Sequence, residues 1–329
     1  MACTLIIRLS ALGDVVMTVP VLYSVANRYP NDRFILLTKK PLQPLFVNKP
    51  HNLEIFPVHT HGKHRGARGM IRLLRELGRE GIDQVADLHF VLRSIEIDCY
   101  FKLKGKKVAV IDKGKKEKRS LTRANNKKRV PLTPSVVRYR QVFENLGYDA
   151  TPAFTSLFPA KRNNEETLIG IAPFAKHAGK IYPLDKMEEI VRRLNEKPDV
   201  RIFLFGGKDE SALLQSWAEK YERVESKAGY LSFPEELLLI NDLNVMLSMD
   251  SANMHLASLV NTPVVSIWGA THPYAGFYGY GQDAKDAVQV DLPCRPCSVF
   301  GNKPCRYGSY DCLNRISPEE IVQRVMNYE

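Results

Sequence analysis

Short apolar runs alternate with amphipathic helical segments along nearly the whole chain, and the alternation restarts once after residue 166. No other feature limits the fold as tightly. Strand, helix and strand in succession return the chain parallel to itself, so repetition builds a mostly parallel, doubly wound α/β sheet. In the first half the pattern predicts strands at 4–9, 33–38, 53–58, 84–87 and 107–111. Helical segments fall at 15–28, 41–48, 70–80, 93–103 and 136–146. Segment 151–166, with Pro152, Pro159 and Arg162-Asn163-Asn164, reads as a link. The second half predicts strands at 167–172, 201–205, 243–249 and again from Thr262, with helices at 184–196, 210–221, 234–240 and 317–328. A length of 329 residues suits two domains of roughly 150 each. The expected division is 1–155, 156–315 and a terminal helix over 316–329 that packs back on the first domain. Two such domains facing each other place their ligand crevices across a central cleft.

The most informative local stretch is Asp250-Ser251-Ala252-Asn253-Met254-His255-Leu256-Ala257. It reads as a tight turn between a strand and a helix at the carboxyl edge of a parallel sheet. A helix starting there points free N–H groups and its positive dipole end outward, which suits a phosphate or diphosphate. The plainer alternative is that Asp250 or Ser251 caps the helix and His255 is a packed histidine. Lys176 and Lys180 follow another strand and could meet phosphate oxygens. Glu210, after Phe205-Gly206-Gly207, could bind a ribose. Asp14, in the turn Leu9-Ser10-Ala11-Leu12-Gly13-Asp14, is either an N-cap or a general base facing a bound hydroxyl. No G-x-G-x-x-G follows the first strand, which argues against a nicotinamide enzyme.

The formal net charge of +11 is concentrated in the first half. Residues 1–160 hold 28 Lys/Arg against 13 Asp/Glu, whereas residues 161–329 hold 19 against 23. Residues 102–129 alone hold 13 basic residues, opposed only by Asp112 and Glu117. The polar loop at 59–69 adds His59, His61, Lys63, His64, Arg65 and Arg68. Such a field draws anionic partners: a phosphorylated substrate, an acidic membrane face or nucleic acid. The alternative is a solvated basic loop with no ligand. Nucleic acid is disfavoured because the run lacks interleaved aromatics and no helix-turn-helix, RRM or KH signature occurs.

Four of the six cysteines, Cys294, Cys297, Cys305 and Cys312, stand at spacings near those of structural zinc sites. The rival is a loop-rich segment pinned by buried free thiols, since disulfides are not expected in a reducing cytoplasm. No run of 18 apolar residues and no signal-peptide pattern is found, so the expected location is cytoplasmic.

Taken together, these positions resemble the ADP-heptose:lipopolysaccharide heptosyltransferases of glycosyltransferase family nine. The resemblance is carried by Ser10-x-Leu12-Gly13-Asp14 with Pro20, Asp87-Leu88 leading to Arg93-Ser94, and Lys180-x-Tyr182-Pro183. It is carried most specifically by Asp250-Ser251-x-x-Met254-His255-Leu256-Ala257, Thr262-Pro263-Val264-Val265 and Gly269-x-Thr271-x-Pro273. It implies a GT-B architecture of two facing Rossmann-like domains, acceptor on the first and nucleotide-sugar on the second. It implies inversion without an essential metal, with an ADP-sugar as co-substrate. Asp14 then corresponds to the catalytic base and Lys180 to the lysine that steadies the departing ADP. Asp250, Ser251, Ala252, Asn253 and His255, with Lys176, fit the donor side. Glu210 would bind the ribose, and the backbone around Leu231 the adenine. Ser10, Gly13, Arg93, His61, Lys63 and Arg65 are the corresponding acceptor candidates. The implied acceptor is anionic lipopolysaccharide core, Kdo-lipid A or a heptosylated form, which would hold the enzyme peripherally on the inner membrane. Another nucleotide sugar or acceptor within the family is the alternative. Ala252 stands where the family usually has Gly, and Tyr182 where it usually has Trp.

Overall fold

The computed structural model describes residues 1–158 and 165–328, so residues 159–164 of the expected link lie outside the described residues. The chain divides into two compact units. The first comprises Met1–Lys113 and Ser135–Thr155, and the second comprises Gly114–Pro134 and the residues from Ser156 onward.

The first unit runs β1 (Cys3–Ile7), α1 (Leu12–Val16), α2 (Val19–Arg28), β2 (Arg33–Lys39), β3 (Leu53–Val58), α3 (Gly66–Leu77), β4 (Gln84–Asp87), α4 (Leu92–Leu103) and β5 (Lys107–Val110). The chain then forms α5 (Lys115–Leu121) in the second unit and returns with α6 (Ser135–Leu146). The strands lie in the order β3-β2-β1-β4-β5, all parallel. Every residue of β1 is buried, as expected for a strand covered on both faces. On one face Leu5, Ile7 and Leu9 meet Met70, Leu73 and Leu77 of α3 and Ile97 and Phe101 of α4. The single helix expected over 15–28 is broken. Pro20 stands in the first turn of α2, where its missing N–H costs nothing, and Thr18 Oγ1 donates to Val15 O at 2.6 Å to close α1. The segment expected to be helical at 41–48 is a 3₁₀ turn over Lys40–Leu45, held short by Pro41 and Pro44.

The second unit continues with β6 (Thr167–Ala172), α7 (Leu184–Asn195), β7 (Val200–Leu204), α8 (Ser211–Lys220), β8 (Val224–Ser226), α9 (Phe233–Asp242), β9 (Val245–Met249), α10 (Ala252–Leu259), β10 (Val264–Ile267), β11 (Ala287–Val288), α11 (Asp311–Asn314) and α12 (Pro318–Met326). Its strand order is β11-β10-β9-β6-β7-β8, again all parallel. The basic segment Gly114–Pro134 is tied into this unit rather than left as a solvated loop. Lys127 Nζ donates to the carbonyls of Cys294 and Pro296, Leu132 N–H donates to Tyr274 O at 2.9 Å, and Arg129 pairs with Asp291. The Lys118 ammonium lies 4.5 Å from the centre of the Phe277 ring.

The terminal helix, expected on the first domain, has its apolar face in the second unit: Ile321, Val322 and Val325 of α12 join Met187, Ile190, Val191 and Leu194 of α7 in that unit's core. The approach is fixed by the buried Tyr182, whose hydroxyl donates to Ile316 O at 2.8 Å. No helix among the described residues is long and apolar enough to cross a membrane.

Candidate active site

Each sheet reverses its strand order once, between β1 and β4 in the first unit and between β6 and β9 in the second. At such a reversal the connections leave in opposite directions and open a crevice at the carboxyl ends of the strands, where ligands bind in sheets of this kind. Some of the sequence-predicted residues lie at each.

In the first unit β1 runs into the turn that carries Ser10, Gly13 and Asp14. Asp14 Oδ2 pairs with Arg8 at 2.7 Å and accepts the Ala11 N–H at 3.3 Å, so both contacts fall on one carboxylate oxygen. Arg8 is itself buried, donates to Leu88 O at 2.6 Å and lies over the Tyr139 ring. His89, after β4, accepts the Leu9 N–H on Nδ1. Burial, with Arg8 and Lys113 nearby, pushes its pKa down to about 4, so it is neutral at pH 7. Asp87 Oδ1 accepts the N–H groups of His89 and Phe90 at 2.7 and 2.9 Å and so shapes this turn. Behind it Asp98 is buried against Asp87; desolvation and that neighbouring carboxylate push the Asp98 pKa up to about 8.

The loop at 59–65 is a separate piece of this unit. Buried His64 accepts the His59 N–H on Nδ1 and meets Glu76 at 3.1 Å, and Lys63 pairs with the same carboxylate. Burial outweighs Glu76 and pushes the His64 pKa down. Arg93 donates to His64 O at 2.9 Å, which joins the start of α4 to this loop. His61, Lys63 and Arg65 are exposed. Among the described residues no hydrogen bond joins this loop to the Asp14 turn.

In the second unit three connections converge: 173–182 after β6, 250–252 after β9, and 268–272 after β10. Lys180 Nζ pairs with Asp250 Oδ2 at 2.8 Å and donates to Asp250 O at 3.0 Å. Thr271 Oγ1 donates to the same Oδ2 at 2.7 Å. Both side-chain contacts fall on Oδ2, and no side-chain hydrogen bond caps α10. Ser251 makes no capping bond either; its hydroxyl meets Ser248 Oγ at 3.2 Å. The first N–H groups of α10, at Ala252 and Asn253, are thus left without a side-chain cap beside a buried ion pair. The connections touch backbone to backbone. A Cβ on Gly269 would lie 2.6 Å from Gly179 O, and Ala270 N–H donates to that carbonyl at 2.8 Å. Buried Arg295 fastens the third connection, donating to the carbonyls of Trp268, Gly269 and Thr271.

The remaining donor candidates are more scattered. Lys176 is exposed in the first connection, and His255 is buried one turn into α10. Glu210 accepts the Gly207 N–H at 2.6 Å after β7, and Leu231 is half-buried after β8. Cys294, Cys297, Cys305 and Cys312 are free thiols, and among the described residues no set of three or more His, Cys, Asp or Glu is placed to hold a metal. Of the four, Cys312 is buried and the other three are half-buried; burial raises the Cys297 pKa and pushes that of Cys312 up to about 11.

Sequence reasoning did not find Arg8, His89, Asp98 or Arg295. The first two were detectable only as residues immediately beyond the strands that flank the reversal. Nothing local marks Asp98 or Arg295, whose roles come from burial.

Comparison with known proteins places these features in a family context. Residues 70–308 match the model of glycosyltransferase family 9 (heptosyltransferase). Lipooligosaccharide heptosyltransferase 2 of Campylobacter jejuni is 24% identical over 324 residues, covering 96% of this chain and 95% of the relative. Lipopolysaccharide heptosyltransferase 3 of Escherichia coli K12 is 24% identical, covering 79% and 80%. Among solved structures, a family 9 glycosyltransferase from Veillonella parvula aligns over 99% of this chain and 97% of its own, with a TM-score of 0.78 at 17% identity. An Escherichia coli heptosyltransferase solved with ADP aligns over 99% and 100%, with a TM-score of 0.72 at 17% identity. The two parallel sheets are thus those of the GT-B-like heptosyltransferase fold.

Proposed function

Because the chain belongs to glycosyltransferase family 9, the heptosyltransferases, we propose that it moves a heptose from ADP-heptose to the inner core of lipopolysaccharide. The observation that carries this reading is the open end of α10 beside the Lys180–Asp250 pair at the second unit's strand reversal. Uncapped N–H groups and a fixed ammonium are the donors a nucleoside diphosphate needs. They also act where charge grows as the glycosyl–phosphate bond breaks, which favours the transition state over the bound donor. Asp250 and Thr271 hold the lysine in place rather than touching the sugar. Glu210 would take the ribose and the backbone near Leu231 the adenine.

Asp14 is the base. Arg8 holds Oδ2, so Oδ1 is the oxygen that takes the acceptor's proton while the hydroxyl oxygen bonds the anomeric carbon. The carbon–oxygen bond to the diphosphate breaks on the opposite side, its electrons leave with ADP, and the configuration inverts. Lys180 and the helix N–H groups carry the leaving-group charge, so no metal is required. Ser10, Gly13, Arg93, His61, Lys63 and Arg65 would face an anionic, Kdo-containing acceptor presented at the cytoplasmic face of the inner membrane. The test is incubation with ADP-heptose and Kdo-lipid A, following ADP release and heptosylated product by mass spectrometry. Product formation is expected. ADP release without product, or transfer only from another nucleotide sugar, would overturn the assignment.

A further inference from the structure

We propose that the outer faces of α3 and α4 form a docking surface for an anionic lipid bilayer. The inference rests on the reading that the acceptor is presented at a membrane, and it assigns the surface that meets it.

α3 buries Met70, Leu73 and Leu77 against the sheet and turns Arg68, Arg72 and Arg75 outward, at spacings of four and three residues. Arg79 follows just past its end. All four are exposed, and among the described residues none is drawn into an ion pair. Outward arginines behave differently elsewhere: Arg192, Arg193 and Arg324 on α7 and α12 each pair with a glutamate four residues away. α4 presents a different stripe. Ile97 and Phe101 are buried, while Leu92, Ile95 and Leu103 are 75%, 36% and 90% exposed, with exposed Cys99 between them. These positions are three, four and four residues apart, one face of a helix. Ile71 of α3 adds a further apolar side chain, 49% exposed.

The two helices lie side by side in the same sense. Arg93 bonds to His64 O where both begin, and Tyr100 and Lys104 crowd Gly78 where both end. A row of free guanidinium groups therefore borders a row of exposed leucine and isoleucine. Glu96 is the exposed acid on these faces, and Glu76 is already held by Lys63 and His64.

This mixture fits a bilayer. Arginines meet headgroup phosphates, and the apolar side chains enter the boundary between headgroups and acyl chains. A second copy of the chain meeting this face across a two-fold axis would set like charges together. Nucleic acid would leave the apolar stripe in water. The basic run at 102–129, the more obvious magnet in the sequence, has Lys118, Lys127 and Arg129 engaged within the second unit.

The test is flotation of the full chain with vesicles of phosphatidylethanolamine and phosphatidylglycerol, against vesicles of phosphatidylcholine alone. Binding to the anionic vesicles only is expected. The triple variant Arg72→Ala, Arg75→Ala, Arg79→Ala should bind on the order of a hundredfold more weakly, about fivefold per arginine. Leu92→Ser with Leu103→Ser should also weaken binding, in low salt as well as high. A control triple, Lys116→Ala, Arg119→Ala, Arg123→Ala, removes equal charge from the second unit and should change binding little. Unfolding midpoints of all variants should match the parent, because every substituted side chain is exposed. Equal losses from both triples would reduce the effect to net charge and overturn the proposal. So would equal binding to neutral vesicles, or a dimer that the arginine triple dissociates. Transfer to a deacylated, soluble acceptor is read separately: its absence sinks the proposed reaction, while the vesicle result still decides the surface.

Discussion

Each of the two candidate carboxylates is gripped by a cation from its own sheet edge, but to different ends. The Asp250 side chain is 5% exposed and receives both Lys180 and Thr271, so it acts as a strut for the lysine. Asp14 is also held through Oδ2 alone but is 30% exposed, so its Oδ1 is open to a ligand. Asp14→Asn should therefore lower turnover by about 10²- to 10⁴-fold while ADP affinity, measured by calorimetry, stays as it was; full turnover would remove the base role. Lys180→Ala should weaken ADP binding by roughly tenfold or more, the worth of one charge-assisted hydrogen bond, and unchanged affinity would detach the lysine from the diphosphate. The buried Asp98 makes a pH prediction. Its folded pKa, pushed up to about 8 against an ordinary 3.8, means the folded chain holds a proton that the unfolded chain releases. Stability from this group is then greatest below the ordinary value and is lost as pH rises toward the folded one. Urea unfolding should show the first unit weakening between about pH 5 and about pH 8, with Asp98→Asn flattening that slope; a wild-type slope surviving in the variant would place its origin elsewhere. The placement of Asp14, Lys180 and Asp250 was legible because each lies in a short motif after a strand. Asp98 was not, since its proton depends on a neighbour brought up by packing.

At the scale of elements, several strands were legible to the residue: β3, β4 and β6 begin and end where the pattern places them. β6, buried along nearly its whole length, is written as an unbroken apolar run, as a strand covered on both faces is. The short pieces were not legible. β8 and β11, three and two residues long, have no period to read, and α5 is hidden inside a run of lysines. The split between α1 and α2 was not read from the pattern; Pro20 in the first turn of α2 fits the start of a new helix there. The connections at the second unit's strand reversal depend on contacts no pattern encodes, chiefly the arginine that ties 268–271 together. Arg295→Lys keeps the charge but loses the planar fork that reaches four backbone carbonyls. Each carbonyl left unsatisfied costs about 1–3 kcal/mol. The substitution should therefore lower the second unit's stability by several kcal/mol in chemical denaturation and weaken ADP binding with it. Undiminished stability would mean that water or the lysine replaces the fork.

At the scale of the whole molecule, the placement of α12 separates two pictures that sequence pattern alone did not distinguish. An amphipathic helix at the end of a chain advertises an apolar face without saying which core receives it. Here Ile321, Val322 and Val325 complete the core that also contains Trp217. Burying such side chains is worth about 1.5–3 kcal/mol each, so the three together approach the 5–15 kcal/mol by which an ordinary domain is stable. Both tryptophans of the chain, Trp217 and Trp268, are buried in the second unit. Tryptophan fluorescence therefore follows that unit alone, while far-ultraviolet circular dichroism follows both. Ending the chain before Ser317 should drop the fluorescence-detected midpoint sharply and abolish ADP binding. A separate dichroism transition from the first unit should persist at its former midpoint. If the helix instead served the first unit, the truncation would move that second transition and leave the tryptophan signal where it was.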